Sequence, residues 1–122
     1  MVQHHSDDVM CLNACRFCER IKNGAYVYSN VNAVAFPPLN PVVPGHYLVV
    51  PRVHVEDALR EPEVTGDTME FAAYTAWSRG IIAANFITSV GSAATQTIFH
   101  LHIHIVPRKE GDGIQLPWSN QS

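Results

Sequence analysis

The sequence predicts a small α+β domain, and three observations support this fold class. Five short segments rich in Val, Ile, Tyr and Phe have the character of β-strands. One longer segment, 65–85, carries apolar residues at helical spacing. The chain has 122 residues, of which 47% are hydrophobic and 16% charged, enough for one core but not for two. We therefore expect a single domain over 11–122, preceded by a disordered lead-in over 1–10.

Charge and hydropathy limit the classes of function. The formal net charge of -3 provides no basic field of the kind that non-specific nucleic-acid binding requires. No apolar run approaches the roughly 20 residues that span a bilayer, and the N-terminal residues have no apolar signal-peptide region. We therefore expect a cytoplasmic protein that binds neither nucleic acid nor a membrane.

The first half of the chain predicts three strands. Segments 25–29 and 31–36 are joined at Asn30 and are typical of a hairpin. The proline-rich stretch 37–45 is too short to link two domains, and its stiffness indicates the wall of a site. Segment 46–52 alternates poorly, as a strand covered on both faces does.

The second half begins with the predicted helix over 65–85. Asp67 and Glu70, three residues apart, fit a capping pair at its start. We interpret its apolar stripe as packing residues: Met69, Ala72, Ala73, Ala76, Trp77, Gly80 and Ala84. Another strand begins at 86–87, followed by a loop of small residues over 89–95, and the tail after Arg108 is turn-rich.

The fifth predicted strand, 99–108, contains three alternating histidines. Successive side chains of a strand point to opposite faces, so His100, His102 and His104 share one face. The other face is apolar and consists of Phe99, Leu101, Ile103 and Ile105. A single histidine is most often structural, but a merely polar strand face would use Thr, Ser, Lys or Glu. Three imidazoles in register therefore indicate a chemical role.

Two chemistries fit these imidazoles. In the first, neighbouring histidines about 6.5–7 Å apart bind one metal ion, although the outer pair is about 13 Å apart. The nearby carboxylates that could complete such a site, Glu110 and Asp112, lie in a turn. In the second, a neutral imidazole attacks phosphorus while its neighbours and the backbone N–H groups of 91–97 meet the developing charge.

Three cysteines lie within eight residues near the N-terminus: Cys11, Cys15 and Cys18. An odd, clustered set does not resemble a disulfide framework and is more typical of a metal site. A redox pair or unrelated buried thiols are the alternatives for Cys15-x-x-Cys18. Half a zinc site needs two further ligands, which the spacing alone does not identify.

Four segments together resemble the histidine triad (HIT) family. Residues 100–106 match its His-φ-His-φ-His-φ-φ pattern, where φ is apolar, and Gln96-Thr97 matches the pair that usually precedes it. Residues 44–52 resemble its Gly-His-x-Leu-φ-φ-Pro-Lys/Arg segment, and Cys15-Arg16-Phe17-Cys18 resembles the start of its zinc-containing members. The resemblance implies a HIT-like fold, an antiparallel sheet of about five strands with one main helix, paired as a two-fold homodimer.

The resemblance also implies roles for site residues. His102 would be the nucleophile that forms a nucleotidyl-imidazole intermediate, His104 and His46 would contact the phosphate, and Gln96 and Thr97 would line the site. The implied activity is that of a nucleotide phosphoramidase or hydrolase. A dinucleoside polyphosphate hydrolase and a non-catalytic nucleotide-binding regulatory module are the alternatives.

A structural zinc ion is implied in the same way. The His100 side chain would complete a closed site, while its backbone carbonyl would hold the His102 ring in its reactive tautomer. Cys11 is left over as a free thiol. The implied zinc ligands are Cys15, Cys18, His54 and His100.

Three positions depart from the family pattern. Pro38 stands where nucleoside-binding members usually carry an Asp that contacts the ribose. Ser89 replaces a common Asn, and Thr95 replaces a common Gly. The sequence therefore predicts phosphorus chemistry at His102 without naming the base or the sugar of the substrate.

Overall fold

The computed structural model describes residues 15–118. The predictions for 1–10 and for Cys11 lie outside the described residues. Two α-helices, five strands and one 3₁₀-helix follow in chain order: α1 Arg16–Lys22, β1 Tyr28–Ser29, β2 Ala33–Phe36, β3 Tyr47–Pro51, α2 Pro62–Ser78, β4 Ala84–Ile87, the 3₁₀-helix Ser92–Ala94 and β5 Ile103–Pro107.

The five strands form one antiparallel sheet in the order β1-β2-β3-β5-β4. The expected α+β fold is therefore confirmed. The predicted hairpin is β1–β2, and the Asn30 side chain closes it by accepting from the backbone N of Asn32 and of Ala33, each at 2.8 Å. An Asn that bonds its own following backbone in this way specifies a tight turn.

The two faces of the sheet are covered differently. Helix α2 packs on one face over the larger core cluster, which includes Val49, Phe71, Leu101, Ile103 and Ile105. Helix α1 covers part of the other face, over a smaller cluster made of Phe17, Val34, Phe36, Leu48 and Val50.

Helix α2 differs from the predicted helix over 65–85 at both ends. It begins at Pro62, where the missing proline N–H leaves no intrahelical bond unmade, and Glu61 is its N-cap. It ends at Ser78, and Gly80 with φ +75° turns the chain away. The Asp67–Glu70 pair therefore lies inside the helix rather than at its start.

The buried side of α2 also differs from the predicted stripe. Its buried residues are Thr68, Phe71, Ala72, Thr75 and Ala76. Ala72 and Ala76 are confirmed as packing residues, but Met69 and Trp77 are 39% and 75% exposed. Trp77 is a surface residue of the described chain.

The histidine segment keeps its alternation although the ladder of β5 starts only at Ile103. Leu101 and Ile103 are buried, whereas His102 and His104 are half-buried on the opposite face. Phe99, predicted on the buried side, is 41% exposed because the strand has not yet begun there.

The segment after β5 is a turn, as predicted. Arg108 holds Asp112 through Nε at 2.8 Å and Nη2 at 3.0 Å. The same carboxylate accepts from the backbone N of Lys109 and of Ile114, both at 3.1 Å. Between residues 15 and 118, we find no helix with the length and apolar character needed to cross a membrane.

Candidate active site and metal cluster

A cluster of two cysteine sulfurs and two imidazoles joins α1 to the start of the histidine segment. Its members are Cys15, Cys18, His54 and His100, and one ligand atom of each lies within 4.8 Å of all the others. Cys15 is the N-cap of α1 and Cys18 lies one turn later, so the start of this short helix places both sulfurs together. The sequence prediction that these four residues meet in space is confirmed.

The distances within this Cys2His2 cluster fit a tetrahedral metal ion. The Cys15 Sγ and Cys18 Sγ atoms lie 3.3 and 3.5 Å from Nδ1 of His100, which is 3.3 Å from Nδ1 of His54. With Zn–S of about 2.3 Å and Zn–N of about 2.05 Å, the tetrahedral S···N and N···N edges are about 3.5 and 3.3 Å. The cluster therefore has the donor types and the spacing of a structural zinc site.

His100 is prepared for the ligand role by its surroundings. Its Nε2 donates to the carbonyl oxygen of Pro51 at 2.9 Å, which leaves Nδ1 as the lone-pair nitrogen facing the sulfurs. Burial lowers the pKa of His100 to about 4. Burial also raises the pKa of the Cys15 thiol. A cation at the cluster would stabilise the thiolate that burial disfavours.

The next imidazole in the segment, that of His102, is oriented by backbone. Its Nδ1 lies 2.9 Å from the carbonyl oxygen of His100, so Nδ1 carries the proton and Nε2 has the lone pair. Burial lowers the pKa of His102, an effect that the bond to His100 partly opposes. The Phe17 ring packs edge-on at 5.2 Å between centroids. The His102 ring is thus fixed in orientation, and its lowered pKa favours the neutral form.

His46 and His104 form a polarised pair beside it. The backbone N–H of Val42 donates to Nδ1 of His46 at 3.0 Å, so the proton of the neutral His46 ring is on Nε2. That nitrogen lies 2.9 Å from Nδ1 of His104, to which it donates. The proton of His104 must then be on its Nε2, which makes this atom a hydrogen-bond donor.

The pair is held neutral by burial. The pKa of His104 is lowered to about 4, first by burial and then by the neighbouring imidazoles of His102 and His46. Burial lowers the pKa of His46 as well. The rings of His46, His102 and His104 therefore converge, since the His104 centroid lies 5.2 Å from that of His46 and 5.4 Å from that of His102. Together they offer a ligand one acceptor nitrogen, on His102, and one donor N–H, on His104.

Gln96 and Thr97 lie where the loop over 89–95 meets the histidine segment. Gln96 is buried, and its side chain holds this loop: Oε1 accepts from the backbone N of Gly91 at 2.8 Å, and Nε2 donates to the carbonyl oxygen of Glu56 at 2.8 Å. Thr97 is exposed. Gln96 thus fixes the backbone from which Thr97 projects.

Sequence reasoning missed one residue that holds the backbone of His102. The Thr88 hydroxyl donates to the carbonyl oxygen of His102 at 2.7 Å. Thr88 follows β4, the strand paired with β5, but its identity as Thr gives no sign that its partner is that carbonyl. Only the register of β4 against β5 could have identified it.

Comparisons with known proteins agree with this architecture. The HIT domain family model matches residues 20–111. An uncharacterized HIT-like protein of Saccharolobus solfataricus is 38% identical over 107 residues, covering 80% of this chain and 73% of that protein. The adenylylsulfatase HINT3 of Arabidopsis thaliana is 31% identical over 119 residues, covering 90% of this chain and 58% of that protein.

Solved structures share the fold as well. A HIT family hydrolase from Clostridium thermocellum superposes with a TM-score of 0.74 at 28% identity, covering 85% of this chain and 97% of that one. A Zn-bound histidine triad family protein from Mycobacterium smegmatis also reaches 0.74, at 29% identity, covering 84% and 80%. The chain, with its five-stranded antiparallel sheet and its three converging imidazoles, belongs to the histidine triad family.

Proposed function

We propose that this protein is a nucleotide phosphoramidase or hydrolase that works through a covalent nucleotidyl-imidazole on His102. The observation that carries the proposal is the 2.9 Å contact between His102 Nδ1 and the His100 carbonyl oxygen. This contact fixes the tautomer in which Nε2 is the nucleophile, and burial, which lowers the pKa of His102, favours the unprotonated Nε2 at neutral pH.

The proposed reaction has two steps. The lone pair of His102 Nε2 attacks the phosphorus, the P–N or P–O bond to the leaving group breaks, and the Thr97 hydroxyl relays a proton from solvent to the leaving group. Water then attacks the phosphorus, loses one proton to solvent through the same hydroxyl, and expels the imidazole, which regenerates the neutral ring and a nucleoside monophosphate. The His104 Nε2–H would bond a phosphoryl oxygen as its charge grows, and His46 maintains that donor.

The relatives support hydrolysis of a nucleotide substrate. One similar protein is an adenylylsulfatase, and one similar structure is described as a HIT family hydrolase. Both descriptions fit a site that transfers a nucleotidyl group to water. A dinucleoside polyphosphate hydrolase would use the same step with a longer leaving group, and comparing kcat/KM on the two substrate types separates them.

Trapping the intermediate tests the assignment of the nucleophile. A fluorogenic adenosine 5′-phosphoramidate is mixed with wild type, His102→Asn and His104→Asn, and each is quenched in acid-free denaturant for mass spectrometry. We expect His102→Asn to lose turnover by at least about 10³-fold and to carry no nucleotidyl mass. His104→Asn should turn over slowly yet still carry the mass, because it keeps the nucleophile. Substantial turnover by His102→Asn would overturn the proposal.

We further propose that the Cys2His2 cluster binds one structural zinc ion. The tetrahedral spacing of its ligand atoms and the Zn-bound relative support this. All four ligands come from the protein, so such an ion has no open position for a substrate. Elemental analysis should find one zinc per chain. A second ion, retained by Cys15→Ser and lost from His102→Asn, would instead indicate a catalytic metal at the imidazoles.

The assembly we propose is a homodimer built on one apolar surface. Tyr74 and Trp77 of α2 are 60% and 75% exposed, Ile82 is 100% exposed, and Phe86 of β4 is 37% exposed. Trp77, Ile82 and Phe86 line a groove of about 330 Å³ beside β4, a strand at the edge of the sheet. The Tyr74 ring lies next to this groove, 6.0 Å from the Trp77 ring between centroids. Such a patch on an edge strand marks an association surface.

Oligomeric state tests this surface directly. In multi-angle light scattering, wild type and Leu39→Glu should have the mass of a dimer, since Leu39 is 81% exposed outside the surface. Trp77→Glu should have the mass of a monomer, because it places a charge in the groove. A monomeric wild type would contradict the assignment.

A further inference from the structure

Arg20, a residue of α1, has a donor that nothing in the described chain satisfies. Its guanidinium carbon lies 4.2 Å from the centroid of the Phe36 ring. Its Nε is buried and has no hydrogen-bond partner. Neither of the ion pairs between described residues, which are Arg60–Glu56 and Arg108–Asp112, involves it. A buried guanidinium N–H without a hydrogen-bond partner is costly unless a ligand completes it.

The sheet places this guanidinium beside the proposed phosphate site. Phe36 of β2 pairs with Leu48 of β3, and Leu48 pairs with His104 of β5, so the three residues form one row. Strands lie about 4.8 Å apart, which puts the Cα atoms of Phe36 and His104 about 10 Å apart. A second path runs through Phe17, whose ring contacts both Phe36 at 5.6 Å and His102 at 5.2 Å.

The row also indicates on which side of the imidazoles each half of the substrate would lie. Arg20 and Phe36 lie on the β2 side of the imidazoles, whereas Thr97 and the loop before it belong to the connection between β4 and β5. In the proposed reaction the Thr97 side receives the leaving group. The β2 side is then the side of the nucleoside that stays attached to the phosphorus.

We propose that Arg20 is the specificity-determining residue of this site and selects substrates with a second phosphate on the ribose. The inference rests on the proposed function, which it deepens by naming the substrate class. A guanidinium offers several fixed N–H donors to phosphate oxygens, and a charged pair of this kind is stronger than a neutral hydrogen bond. Stacking on Phe36 holds the group in place, so little side-chain entropy is lost on binding.

Equilibrium binding tests this without relying on turnover. Calorimetry is run with AMP, adenosine 2′,5′-bisphosphate, adenosine 3′,5′-bisphosphate and ADP on wild type and Arg20→Met. Methionine keeps an apolar stem over Phe36 while removing the charge. We expect at least one ribose-phosphorylated ligand to bind wild type about tenfold or more tightly than AMP. Arg20→Met should remove this difference while AMP affinity stays within about twofold.

Two further variants separate recognition from packing. Arg52→Met is the matched control, because Arg52 also lies over a ring, 5.5 Å from Tyr26, but its Nε donates to the Asn30 carbonyl oxygen at 2.9 Å. It should keep the full preference of wild type. Arg20→Lys should keep part of it, since the charge remains but the planar donor set is lost. Unchanged melting temperatures would show that packing is intact.

Other results would overturn the inference. One is equal affinity of wild type for AMP and both ribose bisphosphates, and another is a preference that persists in Arg20→Met. A third is tighter binding of ADP alone that depends on Arg20, which would place the guanidinium on the side of the leaving group. The proposed function fails separately. If the preference depends on Arg20 but no nucleotidyl-His102 forms, the binding inference holds and the proposed reaction is wrong. If the protein turns over substrate through His102 but shows no preference, the proposed reaction holds and the binding inference is wrong.

Discussion

The Nδ1 atom of His102 lies 2.9 Å from the carbonyl oxygen of His100, whose own ring contributes Nδ1 to the Cys2His2 cluster. One residue therefore connects the cluster to the proposed nucleophile through a single peptide unit. A metal ion that fixes the His100 ring also fixes the carbonyl that selects the His102 tautomer. A change in the Cys2His2 cluster should therefore also change the orientation of the His102 ring.

Metal removal should therefore lower both stability and turnover. Binding to the folded state alone contributes about 4 kcal/mol when free metal is 1,000 times Kd, which for a domain of this size is a melting shift of roughly 10–20 °C. We expect chelation by EDTA to lower the Tm by this amount, as measured by differential scanning calorimetry. We also expect kcat to fall about 10- to 100-fold because the bond that orients His102 loosens. Cys15→Ser should resemble the chelated protein, and EDTA should change it no further. A chelated protein with an unchanged Tm would exclude a structural ion at these residues.

Stability should depend on pH through His104. Its pKa is about 4 when folded and about 6.5 when unfolded, so between these values the unfolded chain binds more protons. The contribution of the neutral ring is fully present above about pH 6.5 and is lost as pH falls toward 4. Because the ring is partly exposed, we discount its effect to about 1 kcal/mol between pH 7 and pH 5.

Urea unfolding of wild type and His104→Gln at these two pH values measures this effect. The Cys2His2 cluster and the other histidines are common to both proteins, so their contributions largely cancel in the comparison. Wild type should lose about 1 kcal/mol more than the variant on going to pH 5. Equal losses would show that the folded His104 titrates normally.

The Cys2His2 cluster was predictable from sequence because the resemblance to the family supplied the two histidines that the Cys-x-x-Cys spacing alone did not identify. Cys15, Cys18, His54 and His100 are the ligand types of a closed tetrahedral site, and the family pattern orders them along the chain. The hydrogen bonds that orient the imidazoles of His46 and His104 were not predictable from the sequence. The bond from Val42 N–H to His46 depends on how the proline-rich loop turns back, and hydropathy carries no information about that turn.

The sequence predicted helix α2 but not its buried face or its C-terminal end. Its buried face includes Thr68, whose hydroxyl donates to the Val64 carbonyl oxygen one turn earlier at 2.7 Å. A threonine that satisfies itself within the helix can be buried, yet a hydropathy stripe counts it as polar. The stripe was therefore assigned to a rotated face that included Trp77. The C-terminal end was misplaced because apolar spacing continues through Ala84, although Gly80 has already ended the helix.

The loop before Gln96 stores strain at Thr95. Its φ of +71° lies in the left-handed region, which a β-branched side chain rarely adopts. Glycine adopts this conformation without penalty, so Thr95→Gly should raise the free energy of unfolding by about 1 kcal/mol. Ala94→Gly is the control, because Ala94 lies in the 3₁₀-helix with an ordinary negative φ and gains nothing from glycine. Denaturation of the two variants in urea measures the difference. A destabilised Thr95→Gly would mean that the threonine side chain makes a contribution larger than the strain.

The two buried threonines of α2 provide a matched pair for the cost of an unsatisfied hydroxyl. Thr75 is 2% exposed, and its Oγ1 has no partner among the described residues, whereas the Thr68 hydroxyl is bonded. Valine has nearly the same shape and helix propensity as threonine, so each substitution mainly removes a hydroxyl. Thr75→Val should raise the free energy of unfolding by about 1 kcal/mol, since a desolvated and unpaired group is lost. Thr68→Val should have no stabilising effect, because it removes a bond that was made. Both values come from urea unfolding at unchanged m. A Thr75→Val variant less stable than Thr68→Val would show that the Thr75 hydroxyl is satisfied in solution.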